Sequence, residues 1–299
     1  MPDEACAAPP QDQGSDRAGQ GGLVLVSTPI GNLQDLSPRG RDALATADLV
    51  LCEDTRYTAH LLAAIGVGRK AEPLHEHNED ARIPHVLAAL RAGRRVALVS
   101  DAGTPLVSDP GYRLVRAAIA EGLPVTAVPG PNAAVTALVL SGLPPLPFLV
   151  LGFPPPRQAA RRTAFGVLRA AERAGLAATL IWHEAPHRLR ETLADMADAF
   201  GDRPAAIARE LTKRFEEVRR GSLADLARHY AAEPARGEIT VLVGPPAEQD
   251  PEDLDGRLRA ALSTHSVKDA AALVTAATGL PRRLVYERAL VLSGRDRAM

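Results

Sequence analysis

The sequence predicts an α/β protein of two domains followed by a small helical module. Three observations carry this expectation. From Leu23 onward, short apolar runs alternate with helical segments, the pattern of a largely parallel sheet layered with helices. A proline cluster, Pro144, Pro145 and Pro147, interrupts the alternation near mid-chain and reads as a hinge. The chain has 299 residues, which at roughly 150 per domain makes about two domains. Its 46% of hydrophobic residues is enough for a buried core.

Residues 1–21 are rich in Pro, Gly, Gln and Ala without periodicity and are expected as a disordered tail. The first domain is expected over 22–146. It opens with the apolar strand Leu23-Val24-Leu25-Val26-Ser27. Ser37-Pro38 then reads as an N-cap followed by proline at the first helical position, starting a helix that runs to about Ala47. A strand is expected over 48–52, a helix over 55–65, and a further helix ending near Gly93. Strand 96–100, helix 112–121, strand 124–128 and helix 132–141 complete the domain.

The second domain is expected over 147–245. Its elements are strand 148–152, helix 159–173, strand 178–182, helix 186–200, strand 205–209, a strand near 215–219, helix 223–230 and strand 238–243. The later strands follow one another closely enough to pair as hairpins, so this sheet is expected to be mixed. Residues 246–255, proline-rich and acidic, read as a linker. Residues 256–299 read as three short helices, with Ser266 and Pro281 as helix starts.

Formal net charge is −1, from 35 basic and 36 acidic residues. That excludes a protein coated in basic charge but not a local basic patch. By segment, residues 151–230 carry 14 basic and 10 acidic residues, residues 231–255 one and seven, and residues 256–299 eight and three. Two positive blocks therefore flank an acidic stretch. Lys70, Lys213 and Lys268 are the only lysines, so 32 basic residues are arginines. Arginine suits bidentate contacts to phosphate or carboxylate, although codon bias in a GC-rich genome gives the same excess.

Two cysteines, Cys6 and Cys52, make neither a disulfide framework nor a cysteine zinc site. With no apolar leader at the start, a cytoplasmic protein is expected. Residues 122–156 carry no charge, but nine prolines break that stretch, so no membrane span is expected.

Three loops leaving strand ends are rich in Gly, Pro and small polar residues. They are Thr28-Pro29-Ile30-Gly31-Asn32, Ser100-Asp101-Ala102-Gly103-Thr104-Pro105 and Pro129-Gly130-Pro131-Asn132-Ala133. Ligands of open α/β sheets bind beyond the carboxyl ends of strands, where small residues let backbone amides approach closely. Neither Gly-x-Gly-x-x-Gly nor Gly-Lys-Ser/Thr is present, so the standard dinucleotide and P-loop readings lose support, which leaves a cofactor bound through backbone contacts and one or two carboxylates. His183-Glu184-Ala185-Pro186-His187 matches the zinc-protease pattern literally. The apolar run before it reads as a strand, however, and Pro186 as a helix start, so the two histidines share no helix face. His75 and His77 lack further ligands in view, and no metal is expected. Cys52-Glu53-Asp54-Thr55-Arg56 reads either as a helix cap with an ion pair or as a cleft group. Segment 209–217, dense in both signs, reads from its residues as a solvated hairpin.

Taken together, Val26-Ser27-Thr28-Pro29-Ile30-Gly31-Asn32-Leu33, Ser100-Asp101-Ala102-Gly103-Thr104-Pro105, Ser108-Asp109-Pro110-Gly111 and Val128-Pro129-Gly130-Pro131 resemble motifs of the tetrapyrrole methylase superfamily. The resemblance narrows to its bacterial 16S rRNA (cytidine 2'-O-ribose) methyltransferase branch. Cys52-Glu53-Asp54-Thr55-Arg56, Glu184-Ala185-Pro186-His187-Arg188, segment 209–217 and segment 266–286 are similar to that branch too. It covers about residues 22 to 295.

This resemblance implies two α/β domains of tetrapyrrole-methylase type with S-adenosylmethionine (SAM) in the cleft between them. Pro29, Ser100, Asp101, Ala102, Gly103 and Leu106 would line the cofactor, with Asn132 and Ala133 near its adenosyl part and Glu184 entering from the second domain. The implied product is a ribose methyl ether in the decoding region of the small ribosomal subunit, and the implied assembly a homodimer.

Methyl transfer requires alignment of the attacking oxygen and removal of its proton. Asp101, Glu210 and Lys213 are the candidate catalytic groups. RNA affinity requires positive charge. Arg188, Arg214, Lys268, Arg282 and Arg283 are the candidate RNA contacts, and the last helices form a helix-turn-helix-like module or a structural appendage. Two other functions compete: a small-molecule methylase acting on a tetrapyrrole-like ring, and a non-catalytic RNA-binding assembly factor.

Overall fold

A computed structural model of the chain describes residues 21–246 and 251–294. Residues 1–20, which include Cys6 and all but the last residue of the tail expected over 1–21, lie outside the described residues, as do residues 247–250 and 295–299. The chain divides into two compact units, Met1–Ala133 and Ala134–Met299, a division that falls ahead of the proline segment 144–147.

The first unit is built on five parallel strands: β1 (Gly22–Val26), β2 (Leu49–Cys52), β3 (Ala71–Pro73), β4 (Arg95–Val99) and β5 (Val125–Val128), in the order β3-β2-β4-β1-β5. Between them run α1 (Pro38–Thr46), α2 (Thr55–Ala64), α3 (Glu79–Arg91) and α4 (Tyr112–Ala120). Ser37 caps α1 by accepting from the Gly40 amide at 3.0 Å, and Pro38 opens the helix as expected. The three-residue β3 escaped the sequence reading, since its only apolar residue in Ala71-Glu72-Pro73 is Ala71.

The strand side chains alternate between two cores. Leu23, Leu49, Leu51, Val96 and Leu98 pack with α3 and α4 residues such as Leu90 and Leu114. Val24, Val26, Val50, Cys52, Ala97 and Val99 pack with Leu44 of α1 and Leu62 of α2. Burial on both faces makes these strands continuous apolar runs. The adjacent strands β1 and β4 therefore send their following helices, α1 and α4, to opposite faces. That is a topological switch point, where a crevice opens at the carboxyl end of the sheet.

The second unit carries a mixed sheet of β6 (Phe148–Val150), β7 (Thr179–Glu184), β8 (Pro204–Arg209), β9 (Glu217–Ser222) and β10 (Ile239–Val243), ordered β6-β7-β10-β8-β9. Only β6–β7 is parallel. The helices α6 (Gln158–Arg173), α7 (Leu189–Phe200) and α8 (Leu223–Ala232) cover one face, where Phe165, Leu193, Met196, Phe200 and Leu226 pack with Trp182 of β7. α5 (Ala133–Ser141) opens the unit.

Two boundaries correct the sequence reading. The helix expected from Pro186 begins at Leu189, because residues 185–188 close a turn in which the Arg188 amide donates to the Ala185 carbonyl at 3.0 Å. Proline's fixed φ suits the second position of such a turn. Helix α9 (Pro251–Leu262) starts inside the residues read as linker. With α10 (Val267–Thr278) and α11 (Arg282–Leu292), it encloses a separate small core of Leu258, Val267, Ala270, Val274, Val285 and Ala289. Ser266 and Pro281 are the helix starts, as expected. Among the described residues, no helix is long and apolar enough to cross a membrane.

Candidate active site

The crevice of the first unit brings together four loops, each leaving the carboxyl end of a strand. The β1 and β4 loops are pinned by a two-hydrogen-bond bridge: the Thr28 amide donates to the Gly103 carbonyl at 2.9 Å, and the Gly103 amide returns to Thr28 at 3.1 Å. Gly103 sits at φ +83°, a conformation L side chains rarely adopt. The buried Thr28 hydroxyl donates to the Ser100 carbonyl at 3.1 Å, and the Ser100 hydroxyl to Gly103 at 3.1 Å. From the β5 loop, the Pro131 carbonyl accepts from the Thr104 hydroxyl at 3.2 Å, and the Asn132 amide reaches that hydroxyl at 3.4 Å. A Cβ at Gly130 would stand 2.9 Å from the Ser27 Cβ, so only glycine permits this approach. Finally, Asp101 Oδ1 accepts the Asp54 amide of the β2 loop at 3.1 Å.

Asp101, Ala102, Gly103, Pro29, Asn132 and Ala133 are thus gathered at one end of one sheet, as the loop motifs suggested. The intervening loop is strained at two non-glycine positions, Leu106 (φ 72°) and Ser108 (φ 69°).

The crevice is acidic. Burial pushes the Asp101 carboxyl up, and the charge of Asp54 adds to the effect. Burial and the charge of Asp101 raise Glu53 as well. Asp109 is pushed up to about 7, first by burial, then by the charges of Glu53 and Asp101, with a hydrogen bond shared with Glu53. Asp54 is held at about 2 by Arg56. The Cys52–Arg56 segment therefore takes both roles left open: Asp54 caps α2 and pairs with Arg56, while Glu53 belongs to the acidic group. Asp109 belongs to the motif Ser108-Asp109-Pro110-Gly111, and nothing local to it marks it as Glu53's partner.

In the second unit the candidates have different surroundings. Glu184 is buried at the end of β7, with both oxygens engaged: Oε1 accepts the Ala185 amide at 2.8 Å and Oε2 the Thr192 hydroxyl at 2.5 Å. Arg188 lies 3.3 Å from that carboxylate and donates to the Pro154 carbonyl at 2.6 Å. Both side chains hold the β7–α7 turn. His183 and Glu184 stand on a strand and His187 in a turn, so the apparent zinc motif has no helical face. No metal-binding cluster occurs among the described residues.

Lys213 lies 3.0 Å from Glu210 and 3.1 Å from Glu238. Burial pulls its ammonium down, but these two carboxylates more than reverse the effect and its pKa is raised. Glu210 is lowered, by the Glu238 amide and then by Lys213. In this arrangement Lys213 stays charged and Glu210 is a weak base.

The positive block 151–230 also changes meaning. Arg161 and Arg203 are buried against Asp195 and Glu172, Arg209 and Arg219 share Glu217, and Arg162, Arg169 and Arg228 are paired. Most of its cations close ion pairs within the unit. The exposed cations Lys268, Arg282 and Arg283, the last paired with Glu287 at 2.8 Å, converge with Tyr286 on one open pocket of about 520 Å³ in the helical module. Tyr286 closes the segment 266–286 and lies four residues after Arg282, on the same face of one helix.

The family described as Tetrapyrrole (Corrin/Porphyrin) Methylases matches residues 22–227. The domain described as the RsmI C-terminal HTH domain matches residues 248–293. The chain belongs to the tetrapyrrole methylase family and is a methyltransferase. Its relatives include proteins named ribosomal RNA small subunit methyltransferase I. The one from Mesorhizobium japonicum is 47% identical over 274 residues, covering 90% of this chain and 92% of its own. The one from Micromonospora olivasterospora is 46% identical over 288 residues, covering 94% and 90%. The one from Escherichia coli O157:H7 is 39% identical over 290 residues, covering 95% and 99%. Among solved structures, the methyltransferase CobJ matches with a TM-score of 0.56 at 22% identity, over 76% of this chain and 95% of that one, which shows the shared fold.

Proposed function

We propose that this protein is a SAM-dependent methyltransferase acting on the ribose 2'-hydroxyl of the decoding-region cytidine 1402 of 16S rRNA, in the small ribosomal subunit. The observation that carries the reading is the union of a methylase body with a C-terminal module presenting Lys268, Arg282, Arg283 and Tyr286 around one pocket. A small-ring methylase has no use for such a surface, whereas a phosphodiester chain does. Relatives named for the small-subunit RNA, matched along most of both chains, support the same substrate. A ribosomal substrate places the enzyme in the cytoplasm, and a homodimer is part of the proposal.

The crevice residues suit SAM. Gly103 and Gly130 let the loops pack closely at the end of the sheet, and the carboxylates of Asp101, Glu53 and Asp109 suit a ligand carrying an ammonium group and ribose hydroxyls. Pro29, Ser100, Asp101, Ala102, Gly103, Leu106, Asn132 and Ala133 would hold it. When bound, SAM supplies a methyl group on a positively charged sulfur, open to in-line displacement. The protein aligns the ribose oxygen and excludes competing water. Asp101, whose Oδ1 accepts the Asp54 amide, would take the hydroxyl proton as the ribose oxygen bonds to the methyl carbon and the carbon–sulfur bond breaks. Lys213, kept cationic by Glu210 and Glu238, contributes charge rather than proton abstraction.

The test is methyl transfer from isotopically labelled SAM to 30S subunits lacking the modification, with the product mapped by mass spectrometry. Labelled 2'-O-methylcytidine at position 1402 is the expected result. Label on a base or another nucleotide would move the target, and no labelled nucleotide would overturn the reading.

A further inference from the structure

Between β8 and β9 the chain makes a braced loop, residues 210–216. The six-pair antiparallel ladder from Pro204↔Ser222 to Arg209↔Glu217 fixes its base. Two non-glycine residues, Glu210 (φ 50°) and Thr212 (φ 64°), take the left-handed conformation. The Glu210 amide donates to the Glu238 carbonyl at 2.9 Å, and Glu210 Oε1 accepts the Glu238 amide at 3.0 Å. The Lys213 amide donates to Glu210 at 3.0 Å, the Glu216 amide to Lys213 at 3.1 Å, and Glu216 Oε2 accepts the Thr212 amide at 2.6 Å. Lys213 bridges Glu210 and Glu238, and Leu211 is buried. A Cβ at Gly237 (φ +81°) would overlap the Glu210 carboxylate, so β10's approach is tightly fitted to this loop.

This bracing presents one apolar group to solvent. Phe215 is 64% exposed, the most exposed of the five phenylalanines. Arg214, also exposed, lies over its ring at 5.5 Å. A loop held by this many bonds, in a strained backbone, does not leave a phenyl ring in water by default. An aromatic face beside a guanidinium plane is the arrangement on which an unpaired base stacks while the cation meets its phosphate.

We propose that Phe215, with Arg214, is a stacking platform for an unpaired nucleobase of the RNA substrate, so that Phe215 is a positioning residue rather than a catalytic one. The proposal rests on the rRNA reading above. It also explains why the Glu210–Lys213–Glu238 cluster is locked: the cluster holds the platform.

The experiment uses the full-length protein with 30S subunits lacking the modification. Phe215→Ala and Phe215→Leu are expected to lower kcat/KM for subunits by about tenfold, the loss of one base stack. Phe215→Trp should restore it to within about twofold, because any flat ring stacks. SAM affinity by calorimetry and oligomeric state by light scattering should match the wild type in all three. If Phe215→Leu retains full activity, the ring serves as an apolar contact and the platform is overturned. A changed oligomeric state would assign Phe215 to a protein interface and overturn it equally. Transfer by the wild type with no effect of Phe215→Ala defeats the platform alone. Absence of transfer by the wild type defeats the rRNA reading beneath it.

Discussion

Burial first, and then the charges of Glu53 and Asp101, push the Asp109 carboxyl up to about 7. In the unfolded chain this group ionises near its ordinary value of 3.8. Folded, it does so at about 7. Between those values the folded state binds more protons, so stability falls as pH rises from about 4 to about 7 and stays reduced above that. Asp109→Asn keeps a donor toward Glu53 and removes the charge. It should raise stability at pH 8 by about 1–2 kcal/mol after solvent screening, and change little at pH 4. Thermal melts across this range check it, and an unchanged melt at pH 8 would refute it. Asp101→Asn tests the neighbouring group. Its kcat should fall by about 100-fold or more, well beyond any loss of SAM affinity. Parallel loss of both would make Asp101 a cofactor ligand only. Asp101 was legible from its loop motif. The Glu53–Asp109 pair was not, since their strands come together only through the sheet order.

Among the elements, α6 and α7 are joined by a charged clamp. Asp195 and Arg161 are each 1% exposed. The carboxylate accepts from Arg161 Nε at 2.8 Å, Arg162 Nε at 2.7 Å and Gln158 at 3.1 Å. Burial alone would raise the Asp195 carboxyl, but these donors outweigh it and hold it below the usual range. Its contribution is therefore full near neutrality and is lost as pH falls through that lowered value. Asp195→Ala leaves a buried, uncompensated guanidinium and should cost about 3–5 kcal/mol in chemical denaturation. Arg162→Ala, on the exposed side, should cost no more than about 1 kcal/mol. Helical periodicity located both helices, because it depends only on residues a turn apart. Which arginine meets which carboxylate depends on how the helices pack. The Pro186 boundary failed for a related reason: proline's fixed φ fits a turn as well as a helix start, and the Glu184 contacts with Ala185 and Thr192 decide between them.

For the whole molecule, the net charge of −1 conceals an uneven distribution. The paired arginines of block 151–230 stabilise the second unit, whereas Lys268 and Arg282 of the helical module are exposed on its pocket. Phosphate contacts made by Lys268 and Arg282 give a clear expectation. The double variant Lys268→Ala/Arg282→Ala should weaken 30S binding and reduce its dependence on the logarithm of salt concentration by about two, one per contact. SAM affinity should be unchanged. Filter binding across a salt series reads both, and an unaltered slope would make the module structural.

The sequence alone determined the alternation of strands and helices, the glycine-rich loops, the helix caps at Ser37 and Ser266, and the motifs that carry the family. Each of these is written in neighbouring residues, through side-chain periodicity, capping and turn conformation. Tertiary structure decided which loops share the crevice, which carboxylate keeps its proton, which arginines are neutralised and where an aromatic ring is left bare. Those outcomes depend on groups far apart in the chain. They were settled when β4 entered the sheet between β1 and β2, and when α6 and α7 packed across the second sheet.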